Sequence, residues 1–306
     1  MRTIRGWAKV VLLLIWQLVN AGFFRVYACR RDADTIRPQI VRTKLSGARI
    51  VVIAPHPDDE MIGCGGAILE FLSRKVSLDI VYLTAGQKRG SPGLSQHGIA
   101  EQRKMEAIGA ARLCGLDASK LHFLSGEDGN LLNSDIQASF QRVLEVVKPD
   151  TIFIPCLLDT HIDHYAASIK LFEIWQSESN ILSGCRLFLY ESQSPLTPWY
   201  SNTVLDISRW RSQKREIVSV FRSQGDLRFT SNLNRANSLF FPGSMACELY
   251  IDVGIEEYFH WYLDNYRQEK DYHQLRAKLV ANADSRTLIR SFISSRSAKT
   301  TLRALL

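Results

Sequence analysis

Two short segments hold most of the side chains that could do chemistry together. Residues 54–60 read APHPDDE, so one imidazole and three carboxylates lie within five consecutive residues. Residues 159–164 read DTHIDH and supply two more imidazoles and two more carboxylates. Like charges at this density are costly to bring together unless a cation or hydrogen bonds compensate them. Because His and Asp are zinc ligands, and a catalytic zinc takes three protein ligands and a water, the segments predict a divalent-metal site.

Each segment also has a simpler interpretation when it is taken alone. The acidic run could be a solvated loop, and two histidines three residues apart are common on exposed helix surfaces. The context favours a site, because each segment directly follows an apolar run that predicts a buried strand, Arg49–Pro55 and Thr151–Pro155. If the second segment opens a helix, His161 and His164 share one face of it.

The elements that must position these motifs alternate between strand and helix along the chain. Such alternation predicts an α/β fold with a mainly parallel sheet between helices, which binds ligands at the carboxyl ends of its strands. Residues 195–250, rich in Ser, Arg and Asn, are expected to form loops on the substrate side. The predicted strands are Arg49–Pro55, Leu78–Thr84, Leu121–Leu124, Thr151–Pro155, Leu187–Tyr190 and Thr203–Ile207. The predicted helices are Met61–Arg74, Ile99–Leu113, Ile136–Val147, Tyr165–Trp175 and Glu256–Val280.

Two further patterns lie close to these motifs. The GCGG run at residues 63–66 lacks the GxGxxG form of a dinucleotide fingerprint, and the acids before it would repel a pyrophosphate. We therefore interpret these glycines as a place of close strand–helix packing. Arg103 and Glu106 lie three residues apart on a predicted helix. They are either a surface ion pair or a place where the arginine contacts an acyl or carboxylate product.

Charge and cysteine usage limit the partners and the compartment. The net charge is +7, but residues 1–50 hold ten Lys/Arg and two Asp, and the stretch after Asp284 holds five Lys/Arg and no acid, so the body between them is negative. This distribution argues against a nucleic-acid groove and fits either an anionic membrane surface or solvated tails. The six cysteines form no CxxC pair and are expected to be free thiols in a reducing compartment.

An apolar run near the N-terminus has several interpretations. Val10–Phe24 would make a helix of about 22 Å, shorter than a bilayer core of about 30 Å. It could lie in the membrane interface, span the membrane with help from Lys9 and Arg25, or be a signal peptide. Positive charge on both flanks favours the cytoplasmic face. We expect a membrane-associating segment at residues 1–31, a linker at 32–48 and the main domain at 49–306, with a less regular C-terminal part.

The order of the motifs resembles the LmbE/PIG-L type of zinc de-N-acetylase. APHPDDE, GCGG, TAG, RxxEAxxAA and DxHxDH follow one another between about Arg49 and Tyr190, each in the expected strand context. Residues 245–248, MACE, are similar to a family segment near the site. The resemblance implies a Rossmann-like sheet and one zinc, or another divalent metal, held by His56, Asp59 and His164.

The same resemblance implies roles for four more side chains. Asp58 would be the general base that activates water. His161 would steady the oxyanion or protonate the leaving amine, and Asp163 would orient a histidine. Arg103 would lie near the acyl group. The chemistry needs no serine nucleophile, and the sequence has no GxSxG elbow.

The function expected from this resemblance is removal of the N-acetyl group from an N-acetylglucosamine-type amino sugar. Its substrate would be a lipid-linked glycan or a lipopolysaccharide precursor. Three alternatives stay open: a catalytically silent protein that binds metal or sugar, an amidohydrolase with a non-sugar substrate, and a membrane-peripheral interaction module. The partners expected are an amino-sugar or glycolipid substrate and an anionic membrane surface contacted through residues 1–31, with no nucleic acid.

Overall fold

The computed structural model describes residues 11, 15–16, 18–26, 47–177, 179–225, 227–266, 269–282 and 287–306. Seven strands form one sheet in the order β3-β2-β1-β4-β5-β7-β6. All neighbours pair in parallel except β7, which runs antiparallel to β5 and β6. The strands are β1 (Arg49–Ala54), β2 (Ser77–Thr84), β3 (Leu121–Gly126), β4 (Thr151–Pro155), β5 (Arg186–Tyr190), β6 (Thr203–Asp206) and β7 (Cys247–Gly254).

Helices cover both faces of the sheet, and each face has its own apolar core. Ile50 and Val52 of β1 point into one core, and Val51 and Ile53 point into the other, because successive side chains of a strand alternate. The described helices are α1 (residues 11, 15, 16 and 18–26), α2 (Asp59–Ser73), α3 (Gln96–Cys114), α4 (Gln137–Val147), α5 (Ile162–Ser177), α6 (Ser179–Leu182), α7 (Arg211–Val218), α8 (Phe229–Ser238), α9 (Ile255–Asn265), α10 (Glu269–Arg276) and α11 (Leu288–Ala298).

The chain reverses its direction across the sheet between β1 and β4. From β1 it moves outward through β2 to β3, and then returns to place β4 on the other side of β1. A crevice forms at such a switch point, outside the carboxyl ends of the two diverging strands. The fold therefore places the segments after β1 and β4 next to each other, as the sequence predicted.

The C-terminal third is more regular than its sequence suggested. The region 195–250, expected to be mainly loops, contains α7, α8 and the beginning of β7. The single helix predicted at Glu256–Val280 is wrong as drawn, because α9 ends at Asn265 and α10 begins at Glu269. The predicted linker at 32–48 falls outside the described residues, except for Gly47 and Ala48.

The helix α1 packs on the body of the protein through one face. The Phe24 ring meets Phe292 of α11 edge-on, with the ring centroids 4.9 Å apart, and also meets Phe240 just after α8. Within the ranges given above, no helix is both long enough and apolar enough to cross a membrane. Five cysteines are buried free thiols, as expected, and Cys29 lies outside the described residues.

Candidate metal centre

The two chemistry-bearing segments meet at the carboxyl edge of the sheet. β1 and β4 are neighbouring parallel strands, so their carboxyl ends lie side by side. Residues 56–60 lead from β1 into α2, and residues 159–164 lead from β4 into α5. Burial of the preceding apolar strands fixes where each of these turns begins. The predicted ligand residues are therefore brought together by two adjacent strand ends.

Three imidazoles and one carboxylate form the middle of the cluster. Asp59 bridges two rings, since one of its oxygens lies 3.1 Å from His56 Nδ1 and the other lies 3.3 Å from His164 Nε2. The ring centroid of His161 is 4.6 Å from that of His56. One nitrogen of each ring lies within 4.8 Å of the other two. The same distance limit also groups His56 and His161 with Asp128 and Asp163, so two donor sets share these two histidines.

Among the described residues, the buried ring of His164 has two nitrogens without a hydrogen bond. Its ring is fully buried, and its nitrogens lie 3.2 Å from Asp159 and 3.3 Å from Asp59, yet neither nitrogen makes a hydrogen bond of acceptable geometry in the described structure. Burial alone would lower the pKa of His164, but the carboxylates of Asp59 and Asp159 raise it to about 10. The surroundings thus favour a positive charge on this ring. A divalent cation supplies such a charge and accepts a nitrogen lone pair, so the donor set His56, Asp59 and His164 fits a metal.

Asp163 lies behind His56 and fixes the direction of that ring. Its Oδ2 atom is 3.0 Å from His56 Nε2, and the backbone N–H groups of Gly129 and Leu131 donate to the carboxylate at 2.6 and 3.2 Å. A carboxylate on the far nitrogen of a ligating histidine fixes its tautomer and its orientation. The structure therefore places Asp163 where the resemblance implied an orienting group, and the histidine concerned is His56.

Asp159 plays the corresponding part behind His164, although sequence reasoning gave it no role of its own. Oδ1 of Asp159 lies 3.2 Å from His164 Nδ1, and Oδ2 accepts the backbone N–H of Ser194 at 2.9 Å. The sequence signal was present, because Asp159 belongs to the DTHIDH segment after β4. What the sequence could not show is that Ser194, which follows β5, would hold it in place.

Sequence reasoning missed two further polar residues of the cluster. Asp128 lies 3.4 Å from His56 Nε2 and accepts the backbone N–H of Lys88 at 2.7 Å. Ser192 donates its hydroxyl to Asp59 at 2.8 Å. Both residues follow the carboxyl end of a strand, β3 and β5 respectively, and that position was the only signal for them.

Asp58 is buried at the edge of this cluster and is held by Arg103. The guanidinium Nη2 atom of Arg103 lies 3.2 Å from Asp58 Oδ1 and also donates to Pro57 O, while Nη1 donates to Gly86 O. Burial raises the pKa of the Asp58 carboxyl to about 6, and the charge of Arg103 opposes this rise. The backbone of Asp58 has a φ of 140°, a value that residues with a side chain rarely adopt.

The glycine of the TAG motif makes room for this arginine. Gly86 has a φ of 62°, and a Cβ atom placed there would lie 2.2 Å from Arg103 Nη1. Arg103 and Glu106 do not pair with each other, because Glu106 accepts from the backbone N–H and the hydroxyl of Ser223. Arg103 is 3% exposed, so the surface ion pair considered from the sequence does not form.

His161 is the only partly exposed ring of the three. Its Nδ1 atom accepts the backbone N–H of Asp163 at 3.2 Å, which assigns the proton of the neutral ring to Nε2. Burial, followed by the neighbouring His56 and His164, lowers the pKa of His161 to about 4. His161 thus offers an N–H donor on the open side of the cluster.

A second buried ion pair packs on the glycines of α2. Lys214 Nζ lies 2.7 Å from Glu248 Oε1 and donates to the backbone carbonyl of Ile62 and the side chain of Asn234. The Glu248 carboxylate accepts from Tyr250 and from two backbone N–H groups of α2. Glu248 of the MACE segment therefore contacts α2 at Gly66 and Ala67, about two helix turns after Asp59.

The GCGG run is a place of close packing, which confirms the interpretation made from the sequence. A Cβ atom at Gly63 would lie 2.1 Å from the Tyr190 ring, and one at Gly66 would lie 2.2 Å from Ile207. Distances below 3.0 Å cannot be met without movement of the neighbour. The glycines let α2 approach β5 and the residue after β6, and this approach sets where α2 begins beside the cluster.

Both segments of the cluster fall in a part of the chain that is similar to known proteins. Residues 51–173 match the PIG-L family model, described as GlcNAc-PI de-N-acetylase. The diacetylchitobiose deacetylase of Thermococcus kodakarensis is 28% identical over 109 residues, which are 35% of this chain and 40% of that protein. The match to this curated relative thus spans less than half of its length.

Solved structures share the fold. The N,N'-diacetylchitobiose deacetylase from Pyrococcus horikoshii superposes with a TM-score of 0.60 at 23% identity, covering 70% of this chain and 86% of that chain. GalB, the 4-carboxy-2-hydroxymuconate hydratase from Pseudomonas putida KT2440, superposes with a TM-score of 0.55 at 18% identity, covering 67% and 96%. These two likenesses concern the fold alone. The matched segment, residues 51–173, contains all the predicted ligands, and this part of the chain is similar to the PIG-L family of de-N-acetylases.

Proposed function

We propose that this protein is a metal-dependent hydrolase that removes the acetyl group from the nitrogen of an N-acetylglucosamine-type amino sugar. The observation that carries the proposal is His164: a fully buried ring between two carboxylates with no satisfied hydrogen bond, inside the segment that matches a de-N-acetylase family. A structural histidine in a protein core would have found partners. A ring kept in this condition fits a ligand for a metal.

His56, Asp59 and His164 would hold the metal, which we propose to be zinc. Asp163 and Asp159 keep the two ligand rings in place from behind. When bound, a zinc ion would act as a Lewis acid toward the acyl oxygen and lower the pKa of water to about 7. The carboxylates around the rings also repel other anions, so the cluster selects a cation.

Asp58 would take the proton from the attacking water. Its carboxylate is fixed by Arg103, and the pKa of about 6 leaves it ionised at neutral pH while keeping it basic enough to accept a proton. The same carboxyl group can then return the proton to the amine as the C–N bond breaks. In this arrangement Arg103 holds Asp58 in place, and its Nη atoms also donate to the carbonyl oxygens of Pro57 and Gly86.

His161 would stabilise the oxyanion. The proton of the neutral ring is on Nε2 because Nδ1 accepts a backbone N–H, and this ring is the partly exposed one of the three. A fixed donor aimed at the developing negative charge is a large source of rate enhancement in acyl transfer. The neutral state of this ring suits a hydrogen-bond donor better than a proton donor.

The finer proposal is that the amino sugar is part of a lipid-linked glycan or a lipopolysaccharide precursor. Its support is the apolar run at residues 10–24, together with the basic residues on both sides of that run. An enzyme for small, soluble sugars has no need of such a segment. The protein would then bind its substrate at a membrane surface. Variants of the α1 helix can test whether the protein binds such a surface.

The test is release of free amine from a panel of N-acetylglucosamine glycosides and glycolipids by the full chain. We expect release that stops with a chelator and returns with zinc, and that is lost in Asp58→Asn. No release from any sugar, despite one tightly bound metal per chain, would favour a silent binding protein. Release from simple N-acetyl amides but not from sugars would favour an amidohydrolase with a non-sugar substrate.

A further inference from the structure

The helix α1 has a face that is fixed to the body of the protein. Phe24 is 1% exposed and joins an aromatic cluster with Phe240, Phe292 and Trp199. Asn20, one turn before Phe24, is buried on the same side. Aromatic contacts of this kind add to the free energy of burying the rings. This part of the helix is therefore anchored on α11 and beside α8.

The opposite face of α1 is apolar and exposed. Five side chains form it, and each is between 46% and 74% exposed. They are spaced so that they share the side of the helix that faces away from Phe24. They make up five of the eleven large hydrophobic residues that are exposed in the described part of the chain. These five are Val11, Ile15, Leu18, Val19 and Val26, and together we call them the outer stripe.

A crevice with two arginines lies between α1 and α8, beside the anchored face of α1. Arg25 of α1 and Arg235 of α8 both line it, together with Asn20 and Asn232. Both arginines are exposed, and arginine is well suited to bind phosphate groups. The first 50 residues hold ten Lys/Arg against two Asp. An apolar stripe with a cationic edge is complementary to a bilayer whose surface is anionic.

We propose that the outer stripe lies in the surface of an anionic phospholipid bilayer, with Arg25 and Arg235 receiving headgroup phosphates. The helix would lie flat in the interface and not span the membrane, because its Phe24 face is fixed to the protein body. A helix with one face on protein and the other in lipid buries its apolar area on both sides. A face of the membrane rich in anionic lipid, such as the cytoplasmic one, would be the natural location.

The docked helix is also connected to the metal centre by a short series of contacts. Phe24 packs on α11, and Ser295 of α11 hydrogen-bonds Ser194 at 2.9 Å. The backbone N–H of Ser194 donates to Asp159, which lies 3.2 Å from His164. Contacts through α11, Ser194 and Asp159 thus join the proposed membrane-facing helix to the proposed ligand His164. Resting on the proposed function, the substrate we propose carries its amino sugar close to the headgroup layer.

Vesicle binding by the full chain tests the proposal. Vesicles of phosphatidylcholine, with and without phosphatidylserine, are sedimented with wild type, Leu18→Asp, and the matched control Val146→Asp. Val146 is 76% exposed and Leu18 is 74% exposed, so both changes place a charge on an open apolar site. We expect wild type and the control to bind vesicles that contain phosphatidylserine. Leu18→Asp should bind at least about ten-fold more weakly, since it replaces buried apolar area with a charge.

Two further variants separate the apolar and the electrostatic contributions. Arg25→Glu combined with Arg235→Glu should reduce binding to anionic vesicles and leave the weak binding to neutral vesicles unchanged. Val26→Asp repeats the test on the outer stripe if Leu18→Asp fails to fold. Thermal unfolding and amine release from a water-soluble substrate, measured without vesicles, report the state of each variant.

Each result has a defined meaning. The proposal is overturned if Leu18→Asp binds vesicles as well as wild type does. If Leu18→Asp is unfolded, the same comparison is made with Val26→Asp. The proposal is also overturned if wild type ignores vesicles and is a dimer that Leu18→Asp dissociates, because a second copy would then cover the outer stripe. If wild type releases no amine, while Leu18→Asp shows the expected loss of vesicle binding, the proposed function is contradicted and the membrane surface is supported.

Discussion

Two buried clusters of charge lie along α2, and they differ in how completely their polar atoms are used. In the Lys214–Glu248 pair, the ammonium meets a carbonyl, an amide and a carboxylate, and the carboxylate meets a phenol and two backbone N–H groups. In the metal centre, both nitrogens of His164 lack a hydrogen bond of acceptable geometry within the described structure. The polar atoms of the Lys214–Glu248 cluster are hydrogen-bonded by other groups of the protein. The two nitrogens of His164 are not hydrogen-bonded by any described residue, so they are free to bind a metal.

The comparison shows how a structural and a chemical use of charge can be told apart in one protein. A buried ion pair whose polar atoms are all hydrogen-bonded holds secondary-structure elements together, and breaking it lowers the free energy of unfolding. A buried cluster whose polar atoms lack hydrogen-bond partners is suited to bind a ligand, and changing it lowers ligand affinity or reaction rate. Residue types alone do not separate the two cases, because both clusters contain carboxylates next to cationic groups.

The largest effect on rate should come from Asp58→Asn. Asparagine keeps the size of the side chain but cannot accept the proton from water, so kcat should fall by about 10²–10⁴-fold. Metal content and thermal stability should stay close to wild type. Glu127→Gln, the same type of change at an exposed residue of the same sheet edge, is the control. An Asp58→Asn protein with wild-type kcat would remove Asp58 from the mechanism.

The largest effect on stability should come from Lys214→Met. The change leaves the Glu248 carboxylate buried without its cation, which costs about 3–5 kcal/mol of unfolding free energy. Urea unfolding measures this loss, and the activity per folded molecule should be unchanged. Lys120→Met, which breaks a partly exposed pair with Asp79, should cost far less. If Lys214→Met lowered the metal content of folded protein, the two clusters would not be separate.

A smaller effect is expected from Asp163→Asn. The change weakens the support behind His56, and metal affinity should fall by about 10–100-fold. Competition with a fluorescent chelator measures the affinity. Asp79→Asn is a close control, because Asp79 also meets a histidine, His122, at 2.9 Å, but near the N-terminal ends of β2 and β3, away from the carboxyl ends that carry the cluster. Equal losses in both variants would mean that the effect is a general one on folding.

The smallest effect should come from Gly66→Ala. A Cβ atom there meets Ile207 and Glu248, and relief of this overlap should cost about 1–3 kcal/mol of stability. Gly109→Ala in α3 is the control, since its Cβ meets only Val220 at 3.3 Å and alanine favours a helix. Thermal or urea unfolding compares the two. If the Gly66→Ala protein is as stable as the Gly109→Ala protein, then α2 can shift away from Ile207 without loss of unfolding free energy.

The sheet and the meeting of the two motif segments could be predicted from the sequence because their signals are local. Continuous apolar runs predicted β1, β2 and β4, and the acids and histidines directly after β1 and β4 predicted a shared site, at which His56, Asp59 and His164 do lie together. The rule that ligands bind at the carboxyl ends of parallel strands then joined the two segments. The family segment at residues 51–173 covers these same elements.

The remaining features depend on contacts between distant parts of the chain. Glu248 was not recognised as part of a buried pair, because its partners lie 34 residues away at Lys214 and 182 residues away at Gly66. β7 was not predicted, since CELYIDVG mixes acids with apolar residues and its Glu is hydrogen-bonded inside the core. Ser192 gave no signal beyond its place after β5. No pattern within a few residues contains such information.

The backbone of Asp58, with its φ of 140°, also bears on how this sequence can change over time. Glycine would adopt that conformation without strain, so Asp58→Gly should relieve the backbone at the same moment that it removes the proposed base. Selection for stability alone would therefore favour losing the carboxylate, and only selection for turnover would retain it. An aspartate at this position therefore lowers the stability of the fold and supplies the carboxylate that we propose for activity.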